Sequence, residues 1–403
     1  MTSPVDTSVK NFNNTMVNVP PISGTAGSLI AALDAFLVTG FDTKTLTSLV
    51  ALSGVMTATF AGTHSSQIDS VVLVAGVTGG PTGFAGANGE QKVAARPSST
   101  TATWATTLPD GTYTGGGTIT IKMAAAGWAK VYSGTNLAAY QSTDVAGTRR
   151  FLRVDDTNAL YARVTGYETM TDVNTGTGPF PTNGQVSGGG WWPKSLVANA
   201  TAVQFSFACD SRLFYIDMLP GSASSVGQTV GCVRGFGDPV SYRASSEPYH
   251  CVLSVGASAA DSDGGWDCNS AKTYAARDYT GLGASTNMFA YALFGGGQYS
   301  GVTNSMGPFP NTIDGALYLS PKLVRQNVSQ LLPRGEFPGL YHCPQSGVWD
   351  SFKHLDRVPS TINLTGRALQ AWNTAAGSNV FTSSSTSVNT GVVFVDITGP
   401  WRS

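Results

Sequence analysis

Hydrophobic positions along the chain follow two periods. Between Thr25 and Gly40, the apolar residues Leu29, Ile30, Leu33, Phe36 and Leu37 recur at helical spacing, which predicts one short amphipathic helix. Gly40 is placed to stop it, because glycine takes the left-handed turn at a helix end without a steric cost. From Leu46 the period shortens to two. Thr45–Leu52, Val55–Phe60, Val71–Val77, Gln91–Ala95, Ala102–Thr106 and Gly117–Met123 are short runs rich in Thr, Val and Ile, separated by GGP, GANG, LPDG and TGGG. Strands at that spacing, with turns of that composition, predict a β-sandwich or barrel.

The strand pattern continues through Lys130–Ser133, Ala138–Ser142, Phe151–Asp155 and Asn158–Tyr167. Turn residues then crowd the chain as far as Trp191-Trp192. A second β set follows: Val203–Ala208, Leu213–Met218, Thr229–Phe236, Tyr249–Val255, Phe289–Phe294, Gly315–Leu319 and Val392–Ile397. The first residues carry Pro20-Pro21 and a run of Asn, which oppose a helix. They are expected to form an arm that is loose or laid against a neighbour. The expected fold is mostly β, with two sandwich- or barrel-like regions, an N-terminal arm and one short helix. Its expected divisions are an arm at 1–24, a β domain with the helix at 25–157 and a second β domain at 158–403, divisible near 320. One motif echoes: TGPFPTN at Thr177–Asn183 and MGPFPNT at Met306–Thr312. Proline on both sides of an aromatic fixes an extended crossing.

Composition sharpens this picture. Only 12% of the residues are charged and 48 are glycine, whereas soluble domains average about 25% charged. Depleted charge suits surfaces buried between subunits. A net charge of −1, with Arg149, Arg150 and Arg153 as the longest basic run, argues against direct nucleic-acid binding. The N-terminus shows no secretory h-region. The uncharged run from Thr45 to Ile68 is broken by Thr, Ser, Gly, His and Gln, so no membrane span is expected.

The candidate chemistry is thin. Five cysteines, at 209, 232, 251, 268 and 343, form no C-x-x-C pair. They read as buried small hydrophobes, with a disulfide among the first four as the alternative. His250-Cys251 and His342-Cys343 are adjacent pairs, and neighbours on a strand point to opposite faces, so neither makes a metal pair. Asp261, Asp263 and Asp267 open like a calcium loop, but Lys272 stands where the closing Glu belongs. Asp155-Asp156 ends a strand, where Asp commonly bonds its own backbone in a turn. No catalytic residue, cofactor or metal ligand is expected. Trp191, Trp192, Phe180 and Trp401 are instead expected to anchor a core or a subunit interface, since Trp concentrates at interface hot spots.

Several stretches resemble a family of tailed-bacteriophage virion structural proteins, associated with the tail or baseplate. They are AAAGWAKVYSGTNLAAYQSTDVAGTRRFLRVDDT (124–157), YARVTGYETMTDVNTGTGPFPT (161–182), GGGWWPKS (188–195), ARDYTGLGAS (276–285), GALYLSPKLV (315–324), RGEFPGLYH (334–342) and DITGPWR (396–402). The resemblance implies a non-enzymatic virion component, most simply of the tail, tail tip or baseplate. It would be assembled in the host cytoplasm and act through symmetric contacts between copies of itself in a ring or shell, and with other tail or capsid proteins. The alternatives are a capsid decoration protein or a carbohydrate- or receptor-binding tail-tip module. The family carries no catalytic residues to transfer.

Overall fold

The computed structural model describes residues 4–220, 232–243, 251–258, 265–268, 270–276, 285–293, 305–326, 332–348, 351–358, 364, 366–374 and 391–402. The chain is mostly β, and among the described residues its strands form three antiparallel sheets of eight, six and thirteen. The first sheet runs from Phe41–Leu52 to Thr120–Met123 and the middle sheet from Trp128–Gly134 to Gly190–Pro193. The third and largest takes most of the remaining chain.

The helix forms where its period predicts, at Ser28–Leu33. It continues as a wider π turn over Asp34–Thr39 and stops at Gly40, whose φ of 71° favours glycine, although its ψ of 176° is extended and not that of the expected left-handed turn. Its apolar face, with Leu29, Leu33, Phe36 and Leu37, is buried.

Three expectations are corrected. Residues 4–24 are not a loose arm. Lys10–Asn13 is a strand that pairs antiparallel with Gln204–Cys209 and extends the largest sheet. Phe12 is the reason: it fills a cluster with Phe36 at 4.8 Å, Phe41 at 5.7 Å and Phe207 at 6.1 Å between ring centroids. The border expected at 157/158 falls inside the middle sheet, because Phe151–Asp155 pairs with Tyr161–Met170 across it. Gly315–Leu319 is a loop, and the strand begins one residue later at Ser320–Arg325. The buried Gln345 side chain takes over that loop's backbone, accepting from Tyr318 N at 2.7 Å and donating to the Pro308 and Ala316 carbonyls.

The two GPFP crossings share two backbone features, although the first is a paired strand and the second is not. Gly178 and Gly307 have φ of 61° and 82°, and both Phe-Pro bonds, Phe180-Pro181 and Phe309-Pro310, are cis.

The largest sheet curls, so that one face encloses a core of its own. Val9, Ala208, Leu213, Tyr215, Val233, Trp266, Phe337, Leu340, Trp372, Val393 and Val395 meet there. Strict alternation sends Phe205, Phe207, Phe214, Ile216 and Met218 to the other face. There they join the helix and the two smaller sheets in a shared core. Every strand from 204 to 219 is therefore buried on both faces.

Candidate functional site

The stretch from Arg149 to Pro193 shows what the chain builds from its few charges. Asp155 makes the expected turn, accepting from Thr157 N at 3.2 Å and Thr157 Oγ1 at 2.7 Å. Asp156 does something its sequence does not announce. Fully buried, it accepts the helix amides of Leu29 at 2.8 Å and Ile30 at 3.3 Å, and its other oxygen takes a short bond from Lys194. Lys194, also fully buried, donates in addition to Thr25 O at 2.6 Å. Burial pushes the Asp156 carboxyl up, and the ammonium and the two amides pull it back. One carboxylate thereby joins the helix start to the ends of two strands of the middle sheet, Phe151–Asp155 and Gly190–Pro193, both of which pair with Tyr161–Met170. A buried charge is tolerated only with partners of this kind.

Three of the four expected anchors sit in the chain's own core. Phe180 is fully buried and stacks on Phe236 at 6.1 Å, over Gly166, where an added Cβ would lie 2.3 Å from its ring. Trp192 donates to Ser254 O at 2.7 Å and meets Phe214 edge-on. Trp401 donates to Asp396 O at 2.9 Å and lies against Tyr215. All three are buried within the chain itself, as the core alternative of that expectation has it. Trp191 is different. It is half-buried on the outer face of the middle sheet, with the Arg163 guanidinium 3.9 Å from its ring centroid and Tyr161 at 4.3 Å.

The fold also brings together a Ser, a His and an Asp that the sequence keeps far apart. Ser206 Oγ lies 2.9 Å from His354 Nε2, and Asp217 is the cross-strand partner of Ser206. The proton order is wrong for a nucleophile and its base. His354 Nδ1 accepts the Asn373 amide at 3.1 Å, so the ring proton is on Nε2 and the imidazole donates to Ser206. A catalytic pair needs the reverse, with the ring nitrogen accepting the hydroxyl proton. Burial holds the His354 pKa down at about 4. The pair is a neutral hydrogen bond that closes the curled sheet, side to side.

A half-open cleft of about 450 Å³ lies where the arm, the first sheet and the C-terminal segment meet. Lys92, Arg357, Arg367, Asp6 and Asp69 line it. Its cations are committed. Lys92 donates to Ile397 O at 2.8 Å and more weakly to Val9 O and Thr398 O, and burial lowers its pKa to about 8. Arg357 pairs with Asp69, and Arg367 with Asp396 at 2.8 Å. The cleft is a weld that fastens both ends of the described chain to the first sheet.

All five cysteines are buried and none is in a disulfide, in line with their reading as buried small hydrophobes. His342 and Cys343 do face opposite cores. Asp261, Asp263 and His250 lie outside the described residues. Among the described residues, no group of three or more His, Cys, Asp or Glu side chains is placed to hold a metal ion, and no helix is long and apolar enough to cross a membrane. Sequence reasoning missed Asp156–Lys194 and Ser206–His354. Each pair is separated by tens of residues or more, and only the Pro-Lys after Trp192 hinted that a charge enters the core. The geometry defines a mostly β protein whose charges are used to fasten sheets. No family model matches the chain, and no curated protein is similar to it.

Proposed function

We propose that the chain is a non-enzymatic structural component of a tailed-phage virion, in the tail, tail tip or baseplate, working through symmetric contacts between copies. One observation carries this reading. The stretches that resemble the virion family supply the residues that fasten the sheets: Asp156 from the first, Phe180 from the second, Trp192 and Lys194 from the third, and Asp396 and Trp401 from the last. What the resemblance shares is thus a scaffold. The low charge, 12% of residues, supports burial of further surface between copies.

Mass spectrometry of purified particles, with native mass spectrometry of the isolated chain, tests it. The expected result is a particle protein at the low copy number of a symmetric tail ring. A capsid-scale copy number would move it to the decoration reading. A stable monomer absent from particles would sink both. Trp191, with its half-exposed edge beside Arg163 and Tyr161, favours a second reading as a glycan-binding tail-tip module. Glycan binding abolished by Trp191→Ala would support that reading, and binding unaffected by the change would reject it.

A further inference from the structure

The inside of the curled sheet has two unlike halves. Toward one end it is closed by Val9, Leu213, Tyr215, Leu340, Val395 and Trp401, all apolar or bonded. Toward the other, alternation turns polar side chains inward. Asp217 follows Leu213 and Tyr215 on one face of its strand. Lys322 shares a face with Val324. His342, Val393 and Trp372 are direct neighbours across three strands, and Thr374 lies on the same face as Trp372. Asp267 reaches in beside Trp266, with one oxygen on the Val233 amide at 2.9 Å. Asp217, Asp267, Lys322, His342 and Thr374 are all essentially inaccessible to solvent.

These groups feel one another in sequence around the interior: Asp217 with Asp267, Asp267 with Lys322, and Lys322 with His342. Yet their hydrogen-bonding capacity is unfilled. Among the described residues, Asp267 Oδ2, both His342 ring nitrogens and Thr374 Oγ1 have no hydrogen-bond partner, and the Asp217 oxygens have none in normal hydrogen-bond geometry, only the Cys232 amide nearby. Lys322 spends a single bond, on Cys268 O at 2.8 Å, of the three an ammonium can donate. An unmet buried polar group costs about 1–3 kcal/mol, and native proteins leave few. Six unfilled atoms in one layer exceed what a fold of marginal stability tolerates.

We propose that this polar half of the curled sheet is a built internal site for small uncharged hydrogen-bonding molecules, water in the first instance. The chemistry selects that class. Asp267 and Lys322 supply one charge of each sign, burial and the Asp267 charge push Asp217 toward its neutral form, and the neutral His342 ring and the Thr374 hydroxyl can each both donate and accept, so the ring has no excess of either sign to hold a lone cation or anion. A guest that both donates and accepts completes every member, and a buried water typically makes about three such bonds. Water and a small polyol share this chemistry.

The test combines a map with unfolding curves on the full chain. A high-resolution crystal structure of the wild-type protein is expected to show ordered density within hydrogen-bonding distance of Asp217 and His342. Asp217→Leu is expected to lower Tm by about 5 °C, because it removes an anchor of the bound molecules, while Asp217→Asn, which keeps one acceptor, loses less. Glycerol separates the two guests. A Tm rise in the wild type beyond that of Asp217→Leu assigns the site to polyols as well. Equal rises with ordered density assign it to water alone. A dry interior predicts the opposite signs. If Asp217→Leu raises Tm and the wild-type map is empty around Asp217, the proposal is overturned. Should Asp217→Leu fail to fold, the wild-type map alone decides.

Discussion

Two aspartates buried in the same chain are treated in opposite ways. Asp156 has a cation and two helix amides on its two oxygens. Asp217 has no cation and no partner in normal hydrogen-bond geometry on its side-chain oxygens, only the Cys232 amide nearby. Burial raises the pKa of both, but only for Asp156 do bonded partners push strongly the other way, whereas the Asp267 charge pushes Asp217 further up. This fold keeps rigidity around Asp156 and room around Asp217. Around Asp156, three elements distant in sequence are locked by complementary charges. Inside the curled sheet, a layer of polar groups is held apart by the strands and left for guests to complete.

The locked side is most sensitive at Lys194. Lys194→Met leaves Asp156 buried without its cation and is expected to cost about 3–5 kcal/mol, read as a lowered denaturation midpoint. Replacing both members with apolar residues is expected to recover much of that loss, because the penalty belongs to the orphaned charge. If the single variant is as stable as the wild type, the clasp is not a fastening.

Phe12 tests whether the arm belongs to the locked side. Phe12→Ala empties a site bounded by Phe36, Phe41 and Phe207 and is expected to cost about 3 kcal/mol. Deleting residues 1–13 is accordingly expected to destroy the fold rather than assembly alone. A truncated chain with wild-type thermal unfolding would contradict the strand pairing of Lys10–Asn13.

His354 gives the pH dependence a sign. Its folded pKa is about 4 against an ordinary 6.5, so between those values the unfolded chain binds a proton that the native chain refuses. Stability is therefore lost as pH falls from 6.5 to 4, and it levels off below. At about 1.4 kcal/mol per pKa unit, the full shift is worth about 3 kcal/mol. Unfolding curves for the wild type and His354→Gln across this range should converge at low pH. Parallel curves would refute the neutral Ser206–His354 bond.

The smallest expected effect is at Gly178. Its φ of 61° and the 2.6 Å approach of an added Cβ to Glu168 make any side chain strained. Gly178→Ala is expected to lose about 1–2 kcal/mol, measured by chemical denaturation. A neutral result would mean that the crossing relaxes freely.

Much of the fold was legible because short-range rules governed it. The helix from Leu29 to its stop at Gly40, the hairpins of the first sheet, the strand at Phe151–Asp155 and the turn at Asp155 follow from local pattern. Lys10–Asn13 was not legible, since KNFN has a single apolar residue and its partner strand lies some two hundred positions away. Asp217 was hidden in the apolar run LFYIDML, where one acid in a strand gives no sign of facing inward. The roles of Asp156, Lys194, Ser206 and His354 depend on distant partners, so local spacing carried no signal for them. Phe180, Trp192 and Trp401 were visible as anchors. Only the curl of the sheet decided that they anchor this chain's own core.

We propose that this scaffold is part of a virion, and a cryo-electron microscopy map of the assembled particle decides that proposal. The expected result is density in a symmetric tail or baseplate ring that matches the curled thirteen-stranded sheet, with its neighbours touching surfaces other than Phe180, Trp192 and Trp401. A particle map fully accounted for by other proteins, with no density for this chain, would contradict it.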